Sequence, residues 1–193
     1  LSIKDFSEVP SAFAPEGTKL AFELISELEG KSNLPFELEL VKLSDGKNGV
    51  IKSRNLTNLS TAWFDYLPNS LAWPFMSEKF KDLINENLIG KEAINWVSAE
   101  INSISESRIY YIPRFQIKPD VLDINQTLFV DGTDRIIIPH FALDKIKEHS
   151  IFTIPSSNDL WKITSQLYVN KKLKEAIINE DIVGPSFESV RVT

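Results

Sequence analysis

Two stretches of this chain share one grammar, and that repetition limits the possible folds more than any other feature. The first is Trp73–Gly90, WPFMSEKFKDLINENLIG, and the second is Gln166–Gly184, QLYVNKKLKEAIINEDIVG. In each, an apolar run ends in Met76 or Val169 and is followed by Ser77 or Asn170. The side-chain oxygen of such a residue accepts from the free N–H groups of a helical first turn. A helical stripe follows: Phe80, Leu83, Ile84 and Leu88 in the first copy, Leu173, Ala176 and Ile177 in the second. Lys81–Asp82 matches Lys174–Glu175, and Asn85–Glu86 matches Asn179–Glu180 once one extra residue near Ile178 is allowed. Gly90 and Gly184 close the units where a left-handed residue is wanted. Alternating runs, Asn95–Ile101 and Ser186–Val192, trail behind. Each unit is therefore predicted as strand, helix, glycine, strand, near residues 70–101 and 160–192. We expect the two to pack as a pseudo-symmetric pair, each covering one face of a shared sheet.

The remaining sequence predicts an α+β fold with a mostly antiparallel sheet and three or four helices. A length of 193 residues suits one domain spanning 1–193. Leu1–Gly17, with two prolines and a glycine, reads as an irregular lead-in. Thr18 is placed to cap a helix with Leu20, Leu24, Ile25 and Leu28 on one face and Glu23, Glu27 and Glu29 on the other. Phe36–Leu43 alternates by two and reads as a strand, Asp45–Gly49 as a turn, and Val50–Asn55 as the return strand. Thr57–Asn69 is loop-like, and its aromatics Trp63, Phe64 and Tyr66 read as core anchors. Arg108–Phe115 is strand-prone, with Pro113 predicting an edge or a bulge. Leu128–Val130 and Arg135–Ile138 form a hairpin around Asp131–Asp134. Phe141–His149 reads as a short helix, and Ile151–Ile154 and Leu160–Ile163 read as short strands.

Composition excludes several classes of function. No run approaches the ~18 apolar residues of a membrane span. Leu1–Pro15 shows no secretion signal, although a chain that begins without Met leaves a processed or trimmed N-terminus open. The absence of cysteine removes disulfides and thiolate-bound zinc, and fits a reducing compartment. The net charge is −6, spread as −2 over residues 1–60, −3 over 61–110 and −1 over 111–193. That balance argues against a nucleic-acid partner, which requires a basic face, and permits a basic protein partner.

Chemistry-bearing motifs are missing. His140 and His149 lie nine apart, off the i, i+4 spacing of a helical metal pair, so no metal site is assigned. Nucleophile elbows, phosphate loops and dinucleotide fingerprints do not occur, and no catalytic residue or cofactor is assigned. The carboxylate pairs Glu37/Glu39, Asp120/Asp123 and Asp131/Asp134 fit solvated faces better than acid–base work. The candidate partner-binding residues are Glu37 and Glu39 on the acidic strand face, and Asp131 and Asp134 at the hairpin tip. The acidic helix face of Glu23, Glu27 and Glu29 is a further surface for a cationic partner.

Four segments in this order carry a likeness: DYLPNSLAWPFMSEKFKDLI, Tyr110–Ile112, Val121–Asp123 and LYVNKKLKEAIINEDIVGPSFESV. Together they resemble a family of bacterial immunity proteins from polymorphic toxin systems, first grouped as a domain of unknown function. Met76, Ser77, Glu78, Lys79, Phe80 and Lys81 fit the family's helix start, and Val169 to Lys174, Gly184 and Phe187 fit its C-terminal signature. Asn170 stands where the family more often has Ser, and Pro185 after Gly184 is a second departure. The likeness spans Asp65 to Val192 and leaves residues 1–64 unplaced. It implies an α+β protein of the cytoplasm that binds a cognate toxin domain and blocks it by occlusion, without catalysis, cofactor, nucleic acid or membrane. The matched residues are structural, so the resemblance transfers no binding site. A non-enzymatic adaptor of the same fold and a carboxylate-dependent hydrolase are the competing readings.

Overall fold

Two nine-residue strands with unbroken register form the centre of the molecule. The computed structural model describes residues 2–3, 9–46, 49–54, 56, 62–157 and 159–192. The first elements are β1 (Ser2–Ile3), β2 (Pro10–Phe13), α1 (Ala21–Glu27), β3 (Leu38–Gly46) and β4 (Gly49–Ser53). Next come β5 (Tyr66–Leu67), β6 (Phe75–Met76), α2 (Glu78–Asn87), β7 (Ile94–Asn102) and β8 (Ser107–Phe115). β7 and β8 pair antiparallel from Ile94↔Phe115 to Asn102↔Ser107. Around them runs a seven-stranded sheet in the order β2-β3-β7-β8-β6-β5, with β4 also on β3. Every pairing in it is antiparallel except β3 with β7.

Strand alternation divides the apolar side chains between two faces. Val97, Ala99, Ile101, Tyr110 and Ile112 join Leu24, Ile25 and Leu28 of the α1 region, with Leu38, Leu40, Leu67 and Phe75. Ile94, Trp96 and Phe115 join Tyr66 and Met76 on the other side, where Phe80 and Ile84 of α2 pack. The fold is α+β, with helices on both faces of a largely antiparallel sheet.

The chain continues with β9 (Leu128–Phe129), β10 (Ile136–Ile138), α3 (Leu143–Ile146), β11 (Ile151–Phe152), β12 (Tyr168–Val169), α4 (Lys171–Asn179) and β13 (Pro185–Ser186). β1–β13, β9–β10 and β11–β12 are separate antiparallel pairs. The four helices α1 to α4 are those of the described residues. A third core gathers Val121, Leu122, Phe141, Phe152 and Tyr168. In it Phe141 and Tyr168 lie 4.6 Å apart between ring centroids, and Phe152 stacks on Tyr168 at 5.3 Å. Phe141 is bridged on one side to Leu122 and on the other to Val192.

The two units share the geometry of their short strand and helix cap, while their trailing strands differ, β7 being a nine-residue central strand and β13 a two-residue pair on β1. Ser77 Oγ accepts from the Phe80 N–H at 3.2 Å, and Asn170 Oδ1 accepts from the Leu173 N–H at 2.8 Å. Met76 pairs with Tyr66, and Val169 pairs with Ile151. The cap residue's own N–H donates to the carbonyl just ahead of the paired strand, Asp65 for Ser77 and Ser150 for Asn170. The units also hold each other. Asp65 accepts from Ser77 Oγ (2.6 Å) and from the Val183 N–H (3.0 Å). Ser150 Oγ donates to the Asn87 carbonyl (2.5 Å), while its N–H donates to Glu92. Lys79, in the first turn of α2, donates to the Glu180 carbonyl at the end of α4. The helices are thus antiparallel and their dipoles oppose. Phe80, Ile84, Leu173 and Ile177 share one cluster. The expectation that the helices cover opposite faces of a shared sheet is corrected. They pack on each other, because β12 belongs to its own two-stranded pair.

Other expectations fail for local reasons. The helix begins after Leu20, not Thr18: Glu23 Oε2 accepts from the Leu20 N–H at 2.9 Å, while the Thr18 hydroxyl donates to the Pro15 carbonyl. Leu20 is consequently exposed. Pro10–Phe13 of the supposed lead-in is a strand on β3. Pro113 makes no bulge but does lie at a locally open edge, the other outcome expected of it. Phe115 donates its N–H to the Lys162 carbonyl, away from β7, so Pro113, two residues earlier, also turns its nitrogen from β7, beyond the reach of short β6. Leu160–Ile163 is a turn built on Asp159, and of the trailing run Ser186–Val192 only Ser186 belongs to a strand, β13. Lys47, Asn48, Asn55 and residues 57–61 of the predicted turn, return strand and loop lie outside the described residues.

Gly184 sits where the two units meet. Its φ is +111°, and a Cβ there would lie 2.5 Å from the Tyr66 carbonyl oxygen. Gly184→Ala is expected to lower stability by roughly 2–4 kcal/mol, from backbone strain plus the clash. Gly90→Ala, with φ +103° and open space around it, carries the strain alone and loses less. Denaturant midpoints of the two variants against the parent protein check this.

Candidate functional site

The predicted acidic residues lie on separate elements and in unlike surroundings. Glu37 is exposed and accepts from Asn102 Nδ2 at 2.7 Å. Glu39 on β3 is gripped at both oxygens by Arg54, at 2.5 and 3.2 Å. Asp131 and Asp134 are exposed at the tip between β9 and β10, whose predicted hairpin is present with an irregular register between Ile136 and Ile138. The structure brings neither pair to the other. Asp120 is paired with Lys145 at 2.7 Å, and Asp123 accepts from the Asn125 N–H in a local turn. Glu29 of the acidic helix face reaches the nearly buried Arg114.

The His140 ring has a buried Nδ1 without a partner, whereas the His149 ring lies against Phe152 at 6.1 Å. Among the described residues, no three His, Asp or Glu side chains gather as a metal cage. No helix among them is long and apolar enough to cross a membrane.

A surface that sequence reasoning missed lies on the side of the third core. A cleft of about 850 Å³ runs beside β10, walled by Ile136–Ile138, Phe141, Ile154, Leu160 and Val190, with Arg135 and Arg191 at its rim. A second cleft of about 580 Å³ lies across residues 187–192, between Leu143 and Ile146 of α3, Val169, and Lys171 and Lys174 of α4. Gln166, Tyr168 and Val190 line both, so the two clefts adjoin as a groove of two parts that the C-terminal segment helps to line. Burial pushes the Tyr168 hydroxyl up to about 12, so this floor residue stays neutral. The triple isoleucine before Pro139 was the available signal: three apolar residues in a row give an alternating strand an outward apolar side chain. The convergence with residues 187–192, some 50 positions on, had no local signature.

The Arg114 guanidinium beside Glu29 holds that carboxyl below the usual glutamate range, with Lys162 adding to the effect. This is a structural contact joining the end of α1 to the sheet. Its folded-state pKa is depressed, so its stabilisation is complete above the unfolded value of about 4.3 and is lost as the pH falls. Glu29→Gln should therefore be less stable than the parent protein at neutral pH. The gap should close as the pH drops below about 4, which thermal melts across that range would follow.

A scan of protein-family models gives no match to this chain, and a search of curated proteins gives none either.

Proposed function

We propose that this protein acts by binding another protein, as an immunity protein that occludes a cognate toxin domain in the cytoplasm and neutralises it without catalysis. One observation supports a docking role above the rest. Ile137, Ile138, Leu143, Leu160 and Val190 are all 41% or more exposed and border the two adjoining parts of the groove. Exposed apolar side chains gathered around a concavity mark a contact site more often than inert surface. Scattered ones carry no such message. The repeat that carries the family likeness builds the wall of this groove through Val169, Asn170, Lys171 and Lys174. Occlusion of a toxin needs a firm, preformed surface, and the stacked aromatics Phe141, Phe152 and Tyr168 lie directly beneath it.

Co-expression with the toxin domain encoded beside this gene tests the reading. Growth should be rescued, and a complex with a dissociation constant of about a nanomolar or tighter should co-purify. An active toxin that this protein neither binds nor neutralises would rule the reading out.

A further inference from the structure

We infer that the groove receives an extended, acidic segment of the partner protein, laid along β10 as an added strand. The inference rests on the protein-binding reading and gives it a place and a sign.

The first argument is charge. The chain carries −6 overall, with 27 acidic against 21 basic residues. The groove reverses that balance: Arg135, Arg191, Lys147, Lys171 and Lys174 line it, against the single carboxylate of Glu188. Among the described residues no ion pair engages Arg135 or Arg191. Lys171 faces Glu175 within its own helix at 3.7 Å, and Lys147 lies beside Glu148. Five cations set around apolar walls attract a carboxylate-bearing ligand and repel a basic one, which fixes partner choice and approach more than it adds affinity. The groove is therefore suited to a partner of opposite charge to the one expected from the acidic strand face.

The second argument is the strand edge. β10 pairs with β9 and with no other strand of the described residues, so its far edge is open beside the cleft. An open edge offers N–H and C=O groups in a row, and an extended peptide satisfies them while its alternate side chains enter pockets. The walls of Ile136, Ile138, Ile154 and Leu160 supply apolar pockets for one set of side chains, and the arginines meet the other set. A nucleic acid would bring phosphates to the cations but would leave the isoleucine walls facing water.

The test titrates short peptides into the isotope-labelled protein and follows its backbone amide resonances. One peptide alternates glutamate with valine, and a second replaces each glutamate with lysine. The glutamate peptide should shift the amides of Ile136–Ile138 and Phe187–Val192 saturably, and the lysine peptide should not. The double variant R135E/R191E should weaken the glutamate peptide about tenfold and favour the lysine one. Both arginines are exposed, so a circular dichroism spectrum and melt like the parent's will show that the variant folds.

In the peptide titration, four results overturn the inference: no shift at these amides, equal binding of both peptides, stronger competition from an oligothymidylate, or concentration-dependent protection of β10 by a second copy of this chain. Failure of the toxin co-expression leaves the peptide result standing. Conversely, R135E/R191E neutralising the toxin as well as the parent removes the groove while keeping the proposed function.

Discussion

Helices of nine and ten residues are too short to persist in water by themselves, and α2 and α4 are of that length. What holds them is the burial of Phe80 and Ile84 against Leu173 and Ile177, over a floor of Tyr66, Met76 and Phe115. The polar contacts around that cluster are arranged in exchange. Asp65, ahead of the first unit, satisfies the N–H of Val183 at the close of the second. Ser150, ahead of the second, satisfies the carbonyl of Asn87 at the close of the first. Each helix thus has its end groups satisfied by the other unit, which is how two weak elements become one firm layer. The α4 wall of the groove is placed by this arrangement.

The layer explains why the molecule has different faces. On the α1 side the sheet is closed by Leu24, Ile25 and Leu28, and the charged rim is satisfied locally by Arg54 with Glu39 and Arg114 with Glu29. On the far side of α4, Lys171 and Lys174 look toward a groove whose other cations are Lys147, Arg135 and Arg191. A modest net charge can therefore conceal a local excess of the opposite sign. For the proposed binding of a partner, that local pattern matters more than the sum.

Much of the fold was legible in the residues. Ser77 and Asn170 announce their helices because capping chemistry is local, and the long alternation in Asn95–Ile101 and Arg108–Phe115 announces the central pair. Reading failed where the outcome depends on a distant partner. Ser186–Val192 has the alternation of a strand but stays mostly unpaired, because beyond Ser186 it crosses a groove instead of meeting a sheet. Leu160–Ile163 is apolar enough for a strand, yet Asp159 at φ 61° winds it into a turn. The groove was invisible for the same reason: its walls come from β10 and α3 on one stretch and from α4 and the C-terminal segment on another, far apart in the sequence. The candidate acids were chosen by sign alone, and the sequence held no hint that Arg54 would take Glu39.

The exchange between the units also has a consequence in time. The bond from Val183 to Asp65 joins residues 118 positions apart. Closing so long a loop is entropically slow, and contacts of this kind set the pace of folding. As the chain emerges from the ribosome, the first unit can form its cap and its short strand pair, but its joint with Gly184 must wait for a segment made much later. Until then Phe80 and Ile84 lack their partners. The nascent chain therefore carries an exposed sticky face while the segment between Ile84 and Ile177 is made, and chaperone engagement is expected to fall on that interval.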